Sequence, residues 1–202
     1  MKLYIQHQQE YSRGELLLRA FFGWLYIGIP YFFLSLIPAI IGAFYSLIGV
    51  FSVLFTGVYP EHMFEHQVKL MNWQLRVQAR LLNLVDGNPP HGMNAQDEAV
   101  ELVIEYPGKQ SQGDAIMKFF LGFFMFIPHY FVLIFRIIVL YFYSLLAFFT
   151  ILISAEYPEG GHKYAVDTLR YVMRINLYFG FMNDRYPPFS GAPDEELGLE
   201  RR

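Results

Sequence analysis

The chain has 202 residues, of which 54% are hydrophobic, 19% aromatic and only 16% charged, and its net charge is −3. Soluble domains average about 25% charged residues, so this chain has too few to cover a soluble fold of its size. The weakly acidic balance offers no basic field for nucleic acid, and the lack of cysteine excludes disulfides, thiolate metal sites and cysteine nucleophiles.

The N-terminal segment, Lys2 to Gln6, has the residue types of a short β-strand, with an extended tail as the alternative. It lacks the succession of basic, apolar and small residues that marks a cleavable signal peptide. Membrane insertion is therefore expected to use the internal apolar segments.

The first apolar block covers residues 20–60, which carry no charge. A single helix of this length would run ~60 Å, about twice the ~30 Å hydrocarbon core of a bilayer. We therefore predict a transmembrane hairpin with spans at about 16–37 and 39–56, which turns at Pro38.

A basic amphipathic helix is predicted to follow the hairpin at about 61–85. One helix face carries the apolar residues Phe64, Val68, Met71, Leu75, Leu82 and Val85, while Lys69, Arg76 and Arg80 lie elsewhere. Such a helix fits the headgroup boundary of a membrane, but its stripe can equally pack against the protein's own helices. The polar segment Asp86 to Gln96 is read as a linker.

The second half repeats this order, beginning with a predicted strand from Glu101 to Tyr106. Spans follow at about 115–135 and 137–154, divided by Arg136, then an amphipathic helix at about 159–183 and a polar tail at 193–202. Arginine at the bilayer centre costs roughly 2.5–3.5 kcal/mol, whereas a turn at Arg136 would let its side chain reach the headgroups. The alternative is a re-entrant piece that ends near Pro128, followed by one long tilted helix.

Self-comparison indicates an internal repeat, with copies at 1–94 and 95–192. Eight of the eleven prolines form pairs 98 residues apart: Pro30 with Pro128, Pro60 with Pro158, and Pro89-Pro90 with Pro187-Pro188. The openings of the copies match instead at 99 residues, so one residue is gained or lost between Gly23 and Pro30. The predicted fold is a mainly α, polytopic helical membrane protein of two tandem repeats, each a strand, a transmembrane hairpin and an amphipathic helix.

Two spans per copy would place both termini and the middle segment on one side of the membrane. Every lysine and arginine except Arg136 then lies on that side, which the positive-inside rule makes cytoplasmic.

The strongest metal-like spacing is His62-x-x-x-His66, which puts two imidazoles on one helix face. The second copy has Gly160 and Tyr164 at these places, and no third ligand is identifiable, so ordinary surface histidines are favoured. His129 lies within an apolar span and is expected to be a satisfied polar side chain rather than a haem ligand.

Arg76 and Arg174 recur at one repeat position, as do Asp86 and Asp184. The arginines could hold lipid phosphates, but structural ion pairs with these aspartates are favoured. We find no phosphate-binding loop, nucleophile elbow or convergent carboxylate pair, and we therefore predict no catalytic residue and no cofactor.

The repeated motifs resemble a bacterial family, domain of unknown function 4389, in two tandem copies. The resemblance rests on Thr56-Gly57-Val58-Tyr59-Pro60 and Arg76-Val77 in the first copy, and on Ile127-Pro128-His129 and Asp184-Arg185-Tyr186-Pro187-Pro188-Phe189 in the second. The resemblance implies a bacterial membrane protein, and it carries over no activity and no catalytic residue. Together with the predicted spans and the charge distribution, it leads us to expect a multi-pass protein of the bacterial inner membrane with both termini in the cytoplasm.

The leading functional hypothesis is a non-enzymatic scaffold or accessory subunit, whose partners are membrane lipids and other membrane subunits, without nucleic acid. The alternatives are a lipid-binding or lipid-handling protein that uses the basic amphipathic helices, and a small channel or transporter. Scarce intramembrane charge argues against an ion path.

Overall fold

The computed structural model describes residues 1–198 and is mainly helical. The elements, in chain order, are β1 (Lys2–Ile5), α1 (Arg13–Gly23), a π-helix (Trp24–Gly28), α2 (Ile29–Thr56), α3 (Glu61–Leu81), β2 (Val100–Val103), α4 (Gln112–Ser154) and α5 (Glu159–Phe179). Both strand predictions are thus confirmed: β1 ends one residue earlier than predicted, and β2 begins one residue earlier and ends three residues earlier. Of the predicted polar tail, residues 199–202 lie outside the described part of the chain.

The two apolar blocks form long continuous helices, and the predicted hairpins are wrong. Helix runs without a break from Arg13 through Thr56, across Pro38, and α4 runs across both Pro128 and Arg136. The re-entrant alternative is wrong for the same reason. Proline removes one backbone donor from a helix but does not have to end it, and the carbonyl of Pro38 accepts a hydrogen bond from His66 Nε2 at 3.0 Å. The prediction had relied on bilayer thickness, which limits a helix only if that helix crosses upright.

Both long helices begin and end in the same way. The hydroxyls of Ser12 and Ser111 cap the N-termini by accepting bonds from the backbone amides of Glu15 and Asp114. The C-termini end in left-handed conformations at Gly57 (φ 74°) and Ala155 (φ 61°). Glycine adopts this conformation without strain, whereas alanine at the matching position is held there against its preference.

The π-helix lies where the register of the repeat shifts. It covers Trp24–Gly28, between the paired Gly23 and Pro30, and the amide of Ile29 bonds to the carbonyl of Trp24 five residues before it. A π-turn holds more residues than an α-turn, so it absorbs one extra residue while the flanking helix keeps its packed face. The first half carries that extra residue, and α4 has no π-segment at the corresponding place among the described residues.

The amphipathic helices α3 and α5 run back along the long helices. In the first half, Gln67 of α3 donates to the carbonyl of Gly42 at 2.5 Å, and Trp73 packs edge-on against Tyr31. In the second half, Phe179 of α5 packs edge-on against Phe126 of α4. The apolar stripes therefore face the protein's own helices, which was one of the two readings of their sequence.

A two-stranded antiparallel sheet joins the halves. Strands β1 and β2 pair from Lys2 with Val103 to Ile5 with Val100. The chain before each long helix also bonds to the end of the other long helix, because Tyr11 N donates to Ala155 O and Gln110 N to Gly57 O. A shared core lies between sheet and amphipathic helices, and it includes Leu3, Ile5, Leu75, Val100, Leu169 and Met173.

Candidate functional site

The outer surfaces of the long helices are almost wholly apolar. The segments Arg13–Thr56 and Gln112–Ser154 have mean hydropathies of 2.1 and 2.4 in their most apolar windows, and only 17% of each window is buried. Both are long and apolar enough to span a membrane. The most exposed apolar side chains are Phe33, Ile37, Phe55, Phe120, Phe123, Phe135, Tyr141 and Ile153. Core helices of soluble proteins are mostly buried, so this surface needs an apolar environment.

The opposite side of the molecule is a polar layer, formed by α3, α5, the sheet and the loops between them. Its outer surface carries exposed charges, including Glu61, Glu65 and Lys69 on α3. On α5, the side chain of Lys163 is 61% exposed and pairs with Asp167 at 3.1 Å. The molecule is thus apolar on one side and charged on the other.

Arg76 and Arg174 fasten the amphipathic helices to the loops that follow them. Arg76 is 2% exposed and donates to the carbonyls of Gly92 and Ala95. Arg174 is buried too, and it donates to the carbonyls of Ser190 and Ala192 and to the carboxylate of Asp194. Burial lowers the pKa of Arg76. With these donors used inside the fold, neither arginine presents its guanidinium to a lipid phosphate.

Asp86 and Asp184 do not pair with these arginines, which corrects the predicted ion pairs. Asp86 binds Arg19 at 2.5 Å and accepts a hydrogen bond from the backbone amide of Ser12. Asp184 accepts the corresponding bond from Ser111 N at 3.3 Å. Each aspartate therefore holds the start of a long helix. The aspartate recurs in the sequence because both halves make this contact with the backbone, and not because it pairs with the recurring arginine.

His62 and His66 lie on the first turns of α3, beside Tyr45 of α2. Their rings contact the Tyr45 ring edge-on, with centroids 5.7 and 5.0 Å apart, and His66 Nε2 is bonded to Pro38 O. Residues 1–198 contain no group of three histidine, cysteine or acidic side chains that could hold a metal. Here the pair packs against an aromatic ring, and His66 donates to the carbonyl of Pro38 on the neighbouring helix.

His129 is the centre of a buried aromatic cluster between α4, α5 and the segment after α5. It is 0% exposed, its Nδ1 is hydrogen-bonded to the hydroxyl of Tyr171 at 2.6 Å, and its ring stacks on Phe189 with centroids 4.6 Å apart. Tyr186 also contacts the ring. The prediction that hydrogen bonds satisfy this buried histidine is confirmed for Nδ1. It is not confirmed for Nε2, which is buried without a partner among the described residues.

Arg136 follows His129 by seven residues, or about two turns, on the same face of α4. It lies beneath α5 rather than at a membrane surface. Its guanidinium carbon is 5.0 Å from the ring centre of Tyr171 and 5.9 Å from that of Tyr164. Both separations are in the range of cation–π attraction. Across the described chain, no carboxylate forms an ion pair with Arg136, so aromatic faces supply its stabilisation.

Comparison with protein families identifies part of the chain. Residues 117–191 match the family model described as Domain of unknown function (DUF4389). The resemblance drawn from the sequence is thereby confirmed for the second half, and the assignment of the first half to the same family stays a prediction. Neither curated proteins nor solved structures give a match to the chain.

The DUF4389 match contains the whole His129 cluster, including Arg136, Tyr171, Tyr186 and Phe189. The family description assigns no function, so the match supports the domain and not an activity. The cluster connects α4 with α5 and with the C-terminal part of the matched segment, which indicates that it organises this domain.

A second histidine contact joins the DUF4389 segment to the N-terminus and was missed by the sequence reading. His7 and His162 lie with ring centroids 4.6 Å apart, and His7 Nε2 donates to the carbonyl of Tyr157 at 2.9 Å. Burial, and secondarily the neighbouring His7, lower the pKa of His162 to about 4. His7 also lines a cleft of about 540 Å³ together with Glu156 and Glu159. The repeat offered a signal, because the matching positions hold Tyr106 and Phe64, whose rings also touch.

Proposed function

We propose that the protein is an integral membrane protein with a structural role, a scaffold or accessory subunit within a larger membrane assembly. The observation that carries this proposal is the exposed apolar surface of the long helices. Exposed side chains such as Phe55, at 78% exposure, and Ile153, at 77%, are favourable only beside lipid tails or another apolar protein surface.

The use of the polar residues supports a structural role. Arg76 and Arg174 bind loop carbonyls, and Asp86 and Asp184 hold helix starts. Those interactions rigidify the polar layer, and a rigid layer beside a membrane is suited to present a surface to partner subunits. A tandem duplication accounts for this layer, because the matched positions of the two halves make matched contacts.

We place the polar layer on the cytoplasmic side of a bacterial inner membrane, with both termini there. The support is the position of the charges: the exposed lysines and acids of α3 and α5 lie in this layer, and the long helices expose almost none. Basic residues are enriched in cytoplasmic segments of membrane proteins.

Membrane residence can be tested with the full-length chain expressed in bacteria. Alkaline carbonate and urea should leave the protein in the membrane pellet, and detergent should release it. Replacement of Phe55 and Ile153 by lysine should weaken retention, whereas lysine at the exposed polar-layer positions Gln9 and Glu98 should leave it unchanged. Release of the wild-type chain by carbonate alone would contradict membrane integration.

The accessory role has its own test. Purification in a mild detergent at native abundance should retain at least one stoichiometric partner protein, and charge reversal at Glu65 and Lys69 on the polar layer should reduce its recovery. A chain that purifies alone under these conditions would contradict the accessory role while leaving membrane residence intact.

A further inference from the structure

The four ends of the two long helices all attach to the same polar layer. The starts are held by the segments that follow the amphipathic helices, since Asp86 accepts a bond from Ser12 N and Asp184 from Ser111 N. The far ends, at Gly57 and Ala155, lead within four residues into α3 and α5, and they also bond to the chain just before the other long helix. The side chains agree, since Arg13 donates to Ile153 O at 2.8 Å and Gln112 to Phe55 O at 2.8 Å. A helix that crossed a bilayer once would carry its two ends to opposite sides.

Exposed charges also lie beside the middle of each long helix. Residues 66 and 67 of α3 bond to the carbonyls of Pro38 and Gly42, at the centre of the first long helix, and Glu65 and Lys69 on the same stretch of α3 are exposed. An upright helix would place these charges near the bilayer centre, at a cost of roughly 2.5–3.5 kcal/mol each.

The second half has the same arrangement. Tyr164 of α5 contacts Tyr143 of α4 with ring centroids 5.3 Å apart, and the neighbouring Lys163 side chain is 61% exposed. Water must therefore reach α5 along the length over which it covers α4. The charged neighbours therefore disfavour an upright orientation of both helices.

Helix length points the same way. At 1.5 Å per residue, the 43 residues of α4 run ~65 Å, and exposed apolar side chains extend from Ile116 to Ile153. An upright helix in a ~30 Å hydrocarbon core would leave about half of this apolar surface in water. A helix that lies in the membrane plane keeps all of it beside acyl chains.

We propose that the protein occupies one leaflet of the bilayer, with both long helices lying in the membrane plane and the polar layer above them at the headgroups. The partner of the apolar surface is the acyl-chain region of that single leaflet. This inference rests on the proposed membrane residence, and it replaces the multi-pass topology predicted from the sequence with insertion from one side. The termini and the segment between the halves stay together on the cytoplasmic side.

The cysteine-free chain allows a direct test by single cysteine substitutions and a membrane-impermeant maleimide. His91→Cys and Lys163→Cys report the polar layer, and Ile37→Cys and Phe135→Cys report the middle of each apolar surface. Each variant is labelled in right-side-out and inverted vesicles, and SDS-denatured samples show that every thiol can react.

In the one-leaflet arrangement, His91→Cys and Lys163→Cys react only in inverted vesicles, and Ile37→Cys and Phe135→Cys react in neither preparation. Labelling of His91→Cys and Lys163→Cys in opposite vesicle preparations would show single crossings, and labelling of Phe135→Cys in right-side-out vesicles would show a helix that reaches the far surface; either result overturns the one-leaflet arrangement. Labelling of both polar-layer cysteines only in right-side-out vesicles would overturn the cytoplasmic placement. If membrane residence itself fails, the chain is released by carbonate and Ile37→Cys reacts without detergent.

Discussion

The two halves of the chain make the same backbone contacts with different side chains. Arg19 donates to the carbonyl of Val85 at 2.7 Å, and Lys118, at the matching place, donates to the carbonyl of Asn183 at 2.7 Å. Three further features correspond between the halves: the serine N-caps, the left-handed helix ends, and the hydrogen bonds from Arg76 and Arg174 to loop carbonyls. Contacts present in both halves are thus the ones that build the architecture.

The halves differ at two pairs of packed aromatic rings. Tyr31 packs on Trp73 in the first half, and His129 bonds to Tyr171 in the second. The Phe64–Tyr106 contact is likewise replaced by the contact between His162 and His7. The fold accepts either pair of side chains at such positions. They therefore say more about a specific role of this protein than the contacts that both halves share.

The largest effect is expected at an ion pair found in the first half. Arg80 and Asp97 are joined at 2.5 Å, with side chains only 5% and 4% exposed, whereas the second half has Tyr178 in place of the arginine. Asp97→Ala leaves a buried cation unpaired and should lower the free energy of unfolding by about 3–5 kcal/mol. Denaturant unfolding in detergent micelles measures it. The double variant Arg80→Met/Asp97→Ala should recover most of the loss, and equal losses in both variants would contradict this account.

The pH dependence of stability should distinguish the pair His7–His162 from its counterpart Phe64–Tyr106, which has no histidine. Because burial holds the pKa of His162 near 4, below its ordinary value of 6.5, the unfolded chain binds the proton more readily. The stabilisation is complete above pH 6.5 and is lost as pH falls toward 4, by up to about 3 kcal/mol. Stability curves from pH 7.5 to 4 should flatten in His162→Phe, which imports the residue of the first half. An unchanged pH slope in that variant would assign the effect to other groups.

Helix packing offers the next comparison, between Gly49 and its counterpart Ala147. A Cβ added at Gly49 would overlap the ring of Tyr59, which is fully buried. Gly49→Ala should cost about 1–3 kcal/mol, as overpacking does in other cores. Gly160→Ala is the matched control, since nothing lies within 4 Å of an added Cβ there. Thermal unfolding followed by tryptophan fluorescence distinguishes them, and equal midpoints would show that Tyr59 is free to shift.

The smallest effect is expected at the His129 cluster. His129→Tyr removes the partner of the Tyr171 hydroxyl and should cost about 1–2 kcal/mol. The double variant His129→Tyr/Tyr171→Trp recreates the pair of the first half and should regain part of that loss. A double variant that is no better than the single one would show that the two pockets are not interchangeable.

Sequence alone predicted most of the local structure. Helical periodicity located α3 and α5, and the hydrophobic blocks located the long helical segments but divided each wrongly into two spans. The register shift between Gly23 and Pro30 marked the stretch where the π-helix lies, although no π-helix was predicted there. These features depend on neighbouring residues, and local periodicity and proline spacing record them directly.

The failures concern geometry over long distances. The turns at Pro38 and Arg136 were inferred from bilayer thickness, and no local residue signals whether a helix lies flat or upright. The recurring partners of Arg76 and Arg174 are loop carbonyls, which leave no trace in side-chain patterns, and the carboxylate that pairs with Arg174 is Asp194 rather than the recurring Asp184. The contact of His7 with His162 arises because strands from different halves pair. Self-comparison of the sequence shows which positions of the two halves correspond, but it does not show that a segment of one half packs on the other.

The depth of α4 in the membrane tests the central claim most directly. Phe120, Phe131, Phe142 and Ile153 are all exposed and recur every eleven residues, so they lie on one helix face with a rise of ~16 Å between neighbours. Spin labels on single cysteines at these positions report depth from the balance of oxygen and nickel-chelate collisions. Four similar depths within one leaflet are the predicted result. A progression from one surface through the bilayer centre to the other would contradict the one-leaflet arrangement.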